Sequence, residues 1–302
     1  MPVITRSAHP SALWPGVYGW FGNKYNEKPA QWSKVFDKRT GTKAWEDIVE
    51  ASGFGLAPVK TEGAPIQYDT DAEGYKSRFI PSVYALGYMV TREELDDGQY
   101  VEISRRRSGA LARSMRTTGE YVHWNIFNRG FSGSYLGGDG VSLFSTSHPT
   151  LAGNQSNVLT VAADLTQASL EAALSQIRGF KDRRGLPIAV KGVTLVVGPE
   201  NEFNAYRLMN SVLTPGSNNN DPNAIRAMGL LPGGVVVSDY LTDPDAWYII
   251  TDVDEGLLSI WRNEVELEKD QDFDTENAKA KARMRFSVGW GDWRSALGTP
   301  GA

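Results

Sequence analysis

Cysteine is absent from the 302 residues, which excludes disulfides, thiolate metal sites and a cysteine nucleophile together. Histidine is almost absent: His9, His123 and His148 stand in three unrelated contexts without paired spacing. Each reads as a structural side chain. No G-x-G-x-x-G follows an apolar run, and Gly130-Phe131-Ser132-Gly133 has the wrong spacing for a nucleophile elbow. No apolar run approaches the length of a bilayer span, and the first twenty residues lack the basic-then-apolar order of a secretory signal. A soluble protein made in a cytoplasm is expected, with no membrane partner. Net positive charge is also missing. Against 31 Lys and Arg stand 36 Asp and Glu, leaving −5, which argues against coating nucleic acid by bulk charge. Asp270, Asp272 and Asp274 begin like a calcium loop, but Thr275 replaces its glycine and Lys281 its twelfth ligand. A solvated strand face is the better reading, and no cofactor, metal or catalytic residue is expected.

What is present is core and turn material. Hydrophobic residues make up 41%, with nine Trp and twelve Tyr, while 31 Gly and 15 Pro mark many turns. Mixed α and β structure follows, in one or two domains. The central feature is the stretch from Thr91 to Gly130, which predicts one long amphipathic helix after a break at Gly98. Thr91 and Glu94 form a capping box. Ile103, Ala110, Leu111, Met115, Val122 and Ile126 share one face, with Arg106, Arg113, Arg116 and Glu120 opposite. A segment of that length spans about 50 to 60 Å, too long for an ordinary core. It suits a beam.

Before the beam, residues 1–45 read as an extended arm whose aromatics, among them Trp14, Phe21, Trp32 and Phe36, are buried against this chain or a neighbour. KAWEDIVEA from Lys43 predicts a short helix. FGLAPVK and IQYD alternate as strands, and YKSRFIPSVYALGYMV completes a long two-stranded excursion over 46–90. After the beam, SYLGGDGVSLF predicts a hairpin. A helix capped by Thr166 runs to KDRRG, where the basic residues meet its dipole. Strands at VTLVVG, VVV and WYII and a helix from Pro199, with Phe203, Tyr206 and Met209 as its stripe, make 166–254 a small α/β unit. The tail carries the strongest alternation. Glu264, Glu266, Glu268, Asp270, Asp272, Asp274 and Glu276 form one row and Lys279, Lys281, Arg283 and Arg285 another. Folded back near Asn277, the acidic row meets the basic row across an antiparallel hairpin.

In that order the parts resemble the major capsid proteins of tailed bacteriophages, with the Hong Kong 97 fold. FGLAPVKTEGAPIQYD, LGYMVTREELDDGQY, ALARSMRTTGEYVHWNIFNRGF, DGVSLFSTSHP and GWGDWRSALG look like the branch related to Mu-type major head subunits. The resemblance implies an α+β capsid fold: N-terminal arm at 1–45, extended loop at 46–90, and spine helix at 98–129. The peripheral domain would comprise 91–165 and 255–302, and the axial domain 166–254. It implies copies tiling an icosahedral head as hexamers and pentamers around packaged double-stranded DNA, held non-specifically. Scaffold, portal and decoration proteins become candidate partners, and the virion shell, assembled in a bacterial cytoplasm, the location. The long N-terminal scaffold segment of some relatives is missing from this chain, which implies a separate scaffold or a mature form. The extended loop would cover a neighbouring subunit, offering Lys60, Glu62, Asp69, Asp71, Lys76 and Arg78 for intersubunit ion pairs. Arg106, Arg113 and Arg116 would face DNA or a partner. Lys60 is near the loop tip, but no asparagine or glutamate marks a cross-linking partner. Two other classes remain open: an enzyme with an unrecognised carboxylate or serine site, and another virion part such as a tail tube.

Overall fold

The computed structural model describes residues 15–63, 65–91, 93–94, 100–214, 221–271 and 277–302. The beam is there. Helix α2 (Tyr100–Asn128) follows α1 (Pro15–Tyr25) in the chain and is 29 residues long, about 44 Å at the usual rise. Thr91 Oγ1 accepts the Glu94 N–H at 3.4 Å, which is half of the expected capping box; the break at Gly98 lies outside the described residues. The buried face is not the expected one. Ser104, Ser108, Leu111, Ala112, Met115, His123, Trp124 and Phe127 are buried, whereas Ala110 is exposed and Val122 and Ile126 are only half-buried. Glu120, expected on the solvent side, is 2% exposed. Small polar residues and a carboxylate occupy the core stripe, so counting apolar residues alone rotates the helix.

Two four-stranded sheets carry the rest. The first has the order β1 (Asp37–Thr40), β8 (Leu257–Gln271), β9 (Ala278–Trp290), β4 (Ser82–Val90). The second runs β10 (Ala296–Thr299), β7 (Trp247–Thr251), β5 (Gly192–Val197), β6 (Gly234–Val237). Its helices are α3 (Gln167–Arg178), α4 (Glu202–Asn210) and α5 (Ala224–Ala227). The segment 255–302 is thereby split: β8 and β9 build the first sheet, and β10 pairs antiparallel with β7 in the second. Thr166 caps α3 as expected, accepting from Ser169 N at 3.2 Å. KDRRG does not close that helix, which ends at Arg178 with Gly179 as its cap. On α4 the buried residues are Ala205 and Leu208, while Phe203 and Tyr206 face solvent.

From Pro15 onward the arm is folded rather than extended. Pro15 occupies the first position of α1, where its missing N–H costs nothing. Val17 and Phe21, one turn apart, are buried together with Trp32, Val35 and Phe36. Phe21, Trp32 and Phe36 are covered by this chain, Tyr18 is exposed, and Trp14 lies outside the described residues. KAWEDIVEA is not a helix: β2 (Glu46–Ala51) pairs antiparallel with β3 (Glu73–Phe79). Ile48 and Val49 suit a strand, and a partner strand overrides weak helix propensity. FGLAPVK and IQYD form no strands, and β4 leaves the excursion to join the first sheet beside β9. SYLGGDGVSLF makes a turn, with Gly137 N bonded to Val141 O, but no flanking strands.

Candidate assembly surface

The excursion of residues 46–79 is built from a charged ladder below and an apolar tip above. Asp47 sits between Lys76 at 2.6 Å and Arg78 at 2.8 Å, and the two cations hold its carboxyl down at about 2. Arg78 also covers the Trp45 ring, 5.3 Å from its centroid. Asp71 accepts from Ser52 Oγ and Gly53 N, at 2.9 and 3.0 Å. Asp69 accepts from Gly55 N at 2.8 Å and from Arg184, which also donates to the Thr70 carbonyl. Deeper, Glu50 meets Arg183 at 3.4 Å and Arg294 at 3.1 Å; burial nevertheless raises its pKa above the ordinary glutamate value. Of the six residues expected to bridge subunits, Asp69, Asp71, Lys76 and Arg78 are thus engaged within the chain. Lys60 and Glu62 remain exposed at the tip, and among the described residues neither is ion-paired.

What the tip does offer is apolar surface. Phe54, Leu56, Val59, Ile66 and Tyr68 are 65–94% exposed. Scattered exposed hydrophobics are normal, but five on one short loop mark a surface built to be covered. Sequence reasoning missed Asp47, Glu50, Arg183, Arg184 and Arg294. The available signal was KDRRG, too basic a run to be needed by one helix end.

The helix arginines divide. Arg106 and Arg113 are exposed. Arg116 instead donates to the Lys28 carbonyl at 2.9 Å and covers the Tyr25 ring, fixing the end of α1. Glu120 beside it accepts from Gln31 N at 2.9 Å, Trp32 N at 3.2 Å and Trp124 Nε1 at 3.0 Å. It therefore anchors the arm to the beam.

The charged hairpin has the expected register. Glu266 faces Arg283, Glu268 faces Lys281 and Asp270 faces Lys279, with Glu268 and Lys281 joined at 2.7 Å. Arg285 stands opposite Asn263 and donates to the Pro81 carbonyl. Asp272, Asp274 and Glu276 lie outside the described residues. The alternate face, Ala278, Ala280, Ala282, Met284 and Phe286, is buried.

Two histidines are buried in structural roles. The His123 ring lies between Trp32 and Phe286, near-parallel to both. Its Nδ1 donates to the Gly119 carbonyl at 2.6 Å, and Nε2 accepts from Ser259 Oγ at 2.8 Å. Burial pushes its pKa down to about 4, so the ring is neutral at pH 7. His148 stacks on Trp293 with Nδ1 2.6 Å from Asp139, and its backbone pairs with Gln155. Among the described residues no cluster of His, Cys, Asp and Glu could hold a metal ion. No helix among them is long and apolar enough to cross a membrane.

Comparison with solved structures gives the same architecture. The chain superposes on the capsid subunit of an empty GTA particle with a TM-score of 0.57 at 11% identity, covering 99% of this chain and 100% of that one. The procapsid of bacteriophage JBD30 gives 0.54 at 15% identity over 98% and 76% of the two chains. A virus-like particle from Pyrococcus furiosus gives 0.55 at 11% over 94% and 97%. At such identities the likeness establishes the fold, an α+β capsid architecture of the Hong Kong 97 type. Among curated protein sequences none matches. The sequence pattern of the phage capsid protein family, however, matches residues 75–298, from the base of the loop through both sheets to β10, and the chain belongs to that family.

Proposed function

We propose that this chain is the major subunit of a tailed-phage head and works by binding copies of itself, not by catalysis. The observation that carries this reading is the apolar tip of the 46–79 excursion, where Phe54, Leu56, Val59, Ile66 and Tyr68 all stand exposed on one short loop. In this assignment α2 is the spine, the first sheet with 255–290 belongs to the peripheral domain, and the second sheet with its helices to the axial domain. Hexamers and pentamers would close an icosahedral shell around double-stranded DNA. The exposed Arg106 and Arg113, with Arg105 beside them, are available on α2 to phosphates or to an acidic partner. The JBD30 capsid is decorated by trimers of a minor capsid protein, which supports decoration proteins as partners beside scaffold and portal.

Electron microscopy of the purified recombinant chain tests the reading. Capsomer rings or shells are expected; compact particles of a few subunits would point to an enzyme, and tubes to a tail component. Replacing residues 56–67 by a short Gly-Ser linker spares Asp69 and Asp71. The expected product is a folded subunit that closes no shells. Normal particles from it would remove the tip from the assembly surface.

A further inference from the structure

The first sheet has two outer edges, and they are built differently. Beyond Trp261, β8 outruns β1, and its free margin carries Arg262, Glu264, Glu266, Glu268 and Asp270 with two register shifts. Charge and irregularity of that kind keep a strand edge from pairing with other chains. β4 has neither device. Ser82–Val90 contains no charged residue, runs in unbroken register with β9, and among the described residues has no strand on its other side. Val83, Leu86 and Met89 are each half-exposed on it.

The backbone groups that point outward can be identified. A Cβ on Gly87 would come 3.2 Å from the Lys281 Cβ, the close approach of a non-hydrogen-bonded antiparallel pair. Arg107 donates to the Met89 carbonyl at 2.8 Å, which places that carbonyl outside the β4–β9 ladder. Val83, Ala85, Gly87 and Met89 therefore turn their N–H and C=O groups outward. Among the described residues only the Met89 carbonyl has a partner there.

The matching piece is on the same chain. In the loop leg, Gly53 N and Gly55 N bond inward to Asp71 and Asp69, which directs the backbone groups of Phe54 and Leu56 to the opposite side. Residues 51–59 carry no charge, and the Phe54 and Leu56 side chains are 65% and 82% exposed. We propose that the Phe54–Leu56 leg of a second copy adds to the outer edge of β4 as a fifth strand. This rests on the shell-forming reading and names its contact. Main-chain bonds hold the leg, and Val83 and Met89, which share one face of β4, flank its side chains. The β8 edge is a poor alternative, because pairing there would bury a row of carboxylates. Since an edge meets a loop and not another edge, the contact is head-to-tail, the kind that forms a ring where the rotation between copies closes.

Ala85→Pro removes one outward N–H and leaves the β4–β9 ladder intact, a position where an edge strand tolerates proline. Leu56→Pro does the same to the leg. Each full-length variant is compared with wild type by circular dichroism, sedimentation velocity and electron microscopy. Expected are native spectra, with capsomers forming only at roughly tenfold or higher concentration. A mixture of the two variants retains one good edge and one good leg, so heterodimers are expected that do not grow into rings. Ala85→Pro that folds and assembles like wild type overturns the proposal. So does Leu56→Pro assembling normally while Ala85→Pro fails, because the edge would then take another occupant. If Ala85→Pro fails to fold, Leu56→Pro decides alone. Wild type that never leaves the monomer overturns the shell reading as well, and is distinguished by that.

Discussion

Glu120 shows how much of this subunit hangs on single buried polar groups. Its carboxylate accepts three hydrogen bonds, two from the arm's backbone and one from Trp124. Glu120→Ala leaves those donors buried and unpaired. The expected loss is about 2 to 4 kcal/mol, read as a lower urea midpoint at unchanged slope. His123 adds a dependence on pH. Its folded pKa of about 4 lies below the ordinary 6.5, so between these values the unfolded chain binds the extra proton. Stability is therefore full above pH 6.5 and falls as the pH drops towards 4, by up to about 3 kcal/mol. Urea midpoints measured from pH 7 to 4.5 check this, and His123→Gln flattens the slope in that window. Asp47 and Asp69, both held at about 2, are stabilising above their ordinary values and lose that contribution only below pH 4. The two windows do not overlap.

The terminal hairpin is the element whose chemistry was most legible in the chain. Period-two alternation over more than twenty residues favours the registers that set acids against bases, and β8 and β9 adopt one of them. The prediction is correspondingly simple. Lys281→Glu lowers the thermal midpoint slightly, Glu268→Lys does likewise, and the charge-swapped double variant recovers most of the loss. In 1 M salt the differences vanish, because both side chains are solvent-exposed and screened. Failure of the swap to recover would mean that the pair contributes nothing. Short elements were less legible for a physical reason. KAWEDIVEA has helical spacing, yet β3 supplies hydrogen-bonding partners 22 to 33 residues away that local pattern cannot register. On α2 the apolar count pointed to Val122 and Ile126, while the true core stripe runs through Ser104, Ser108 and Glu120, the last of which takes two backbone N–H groups of the arm. Among the loop charges expected to serve neighbours, Asp69, Lys76 and Arg78 have partners within the chain itself. Charge was visible in the sequence, but not that Arg184 would meet Asp69.

Across the whole molecule these internal pairs give the excursion a preset direction. Arg183 reaches Glu50 and Arg184 reaches Asp69 and Thr70, so the loop that follows α3 grips the excursion near its base and again near its tip. Arg294, buried beside Asp292 and Glu50, ties the same point to the C-terminal segment. A subunit that holds its projecting loop in one orientation has less entropy to lose when a neighbour accepts it, and assembly gains from that preorganisation. The double variant Arg183→Ala, Arg184→Ala isolates the effect, because both side chains lie at the margin of the core. Its thermal midpoint is expected to stay within a few degrees of wild type. Limited proteolysis should cut faster between residues 53 and 71, and the concentration needed for assembly should rise several-fold. The sign would invert if the grip instead restrained a loop that must swing to reach its neighbour, for then the variant would assemble more readily than wild type while its loop was still cut faster. Light scattering at matched concentration separates the two cases: slower assembly with faster cleavage identifies a preset loop, whereas faster assembly with faster cleavage identifies a latch that must open.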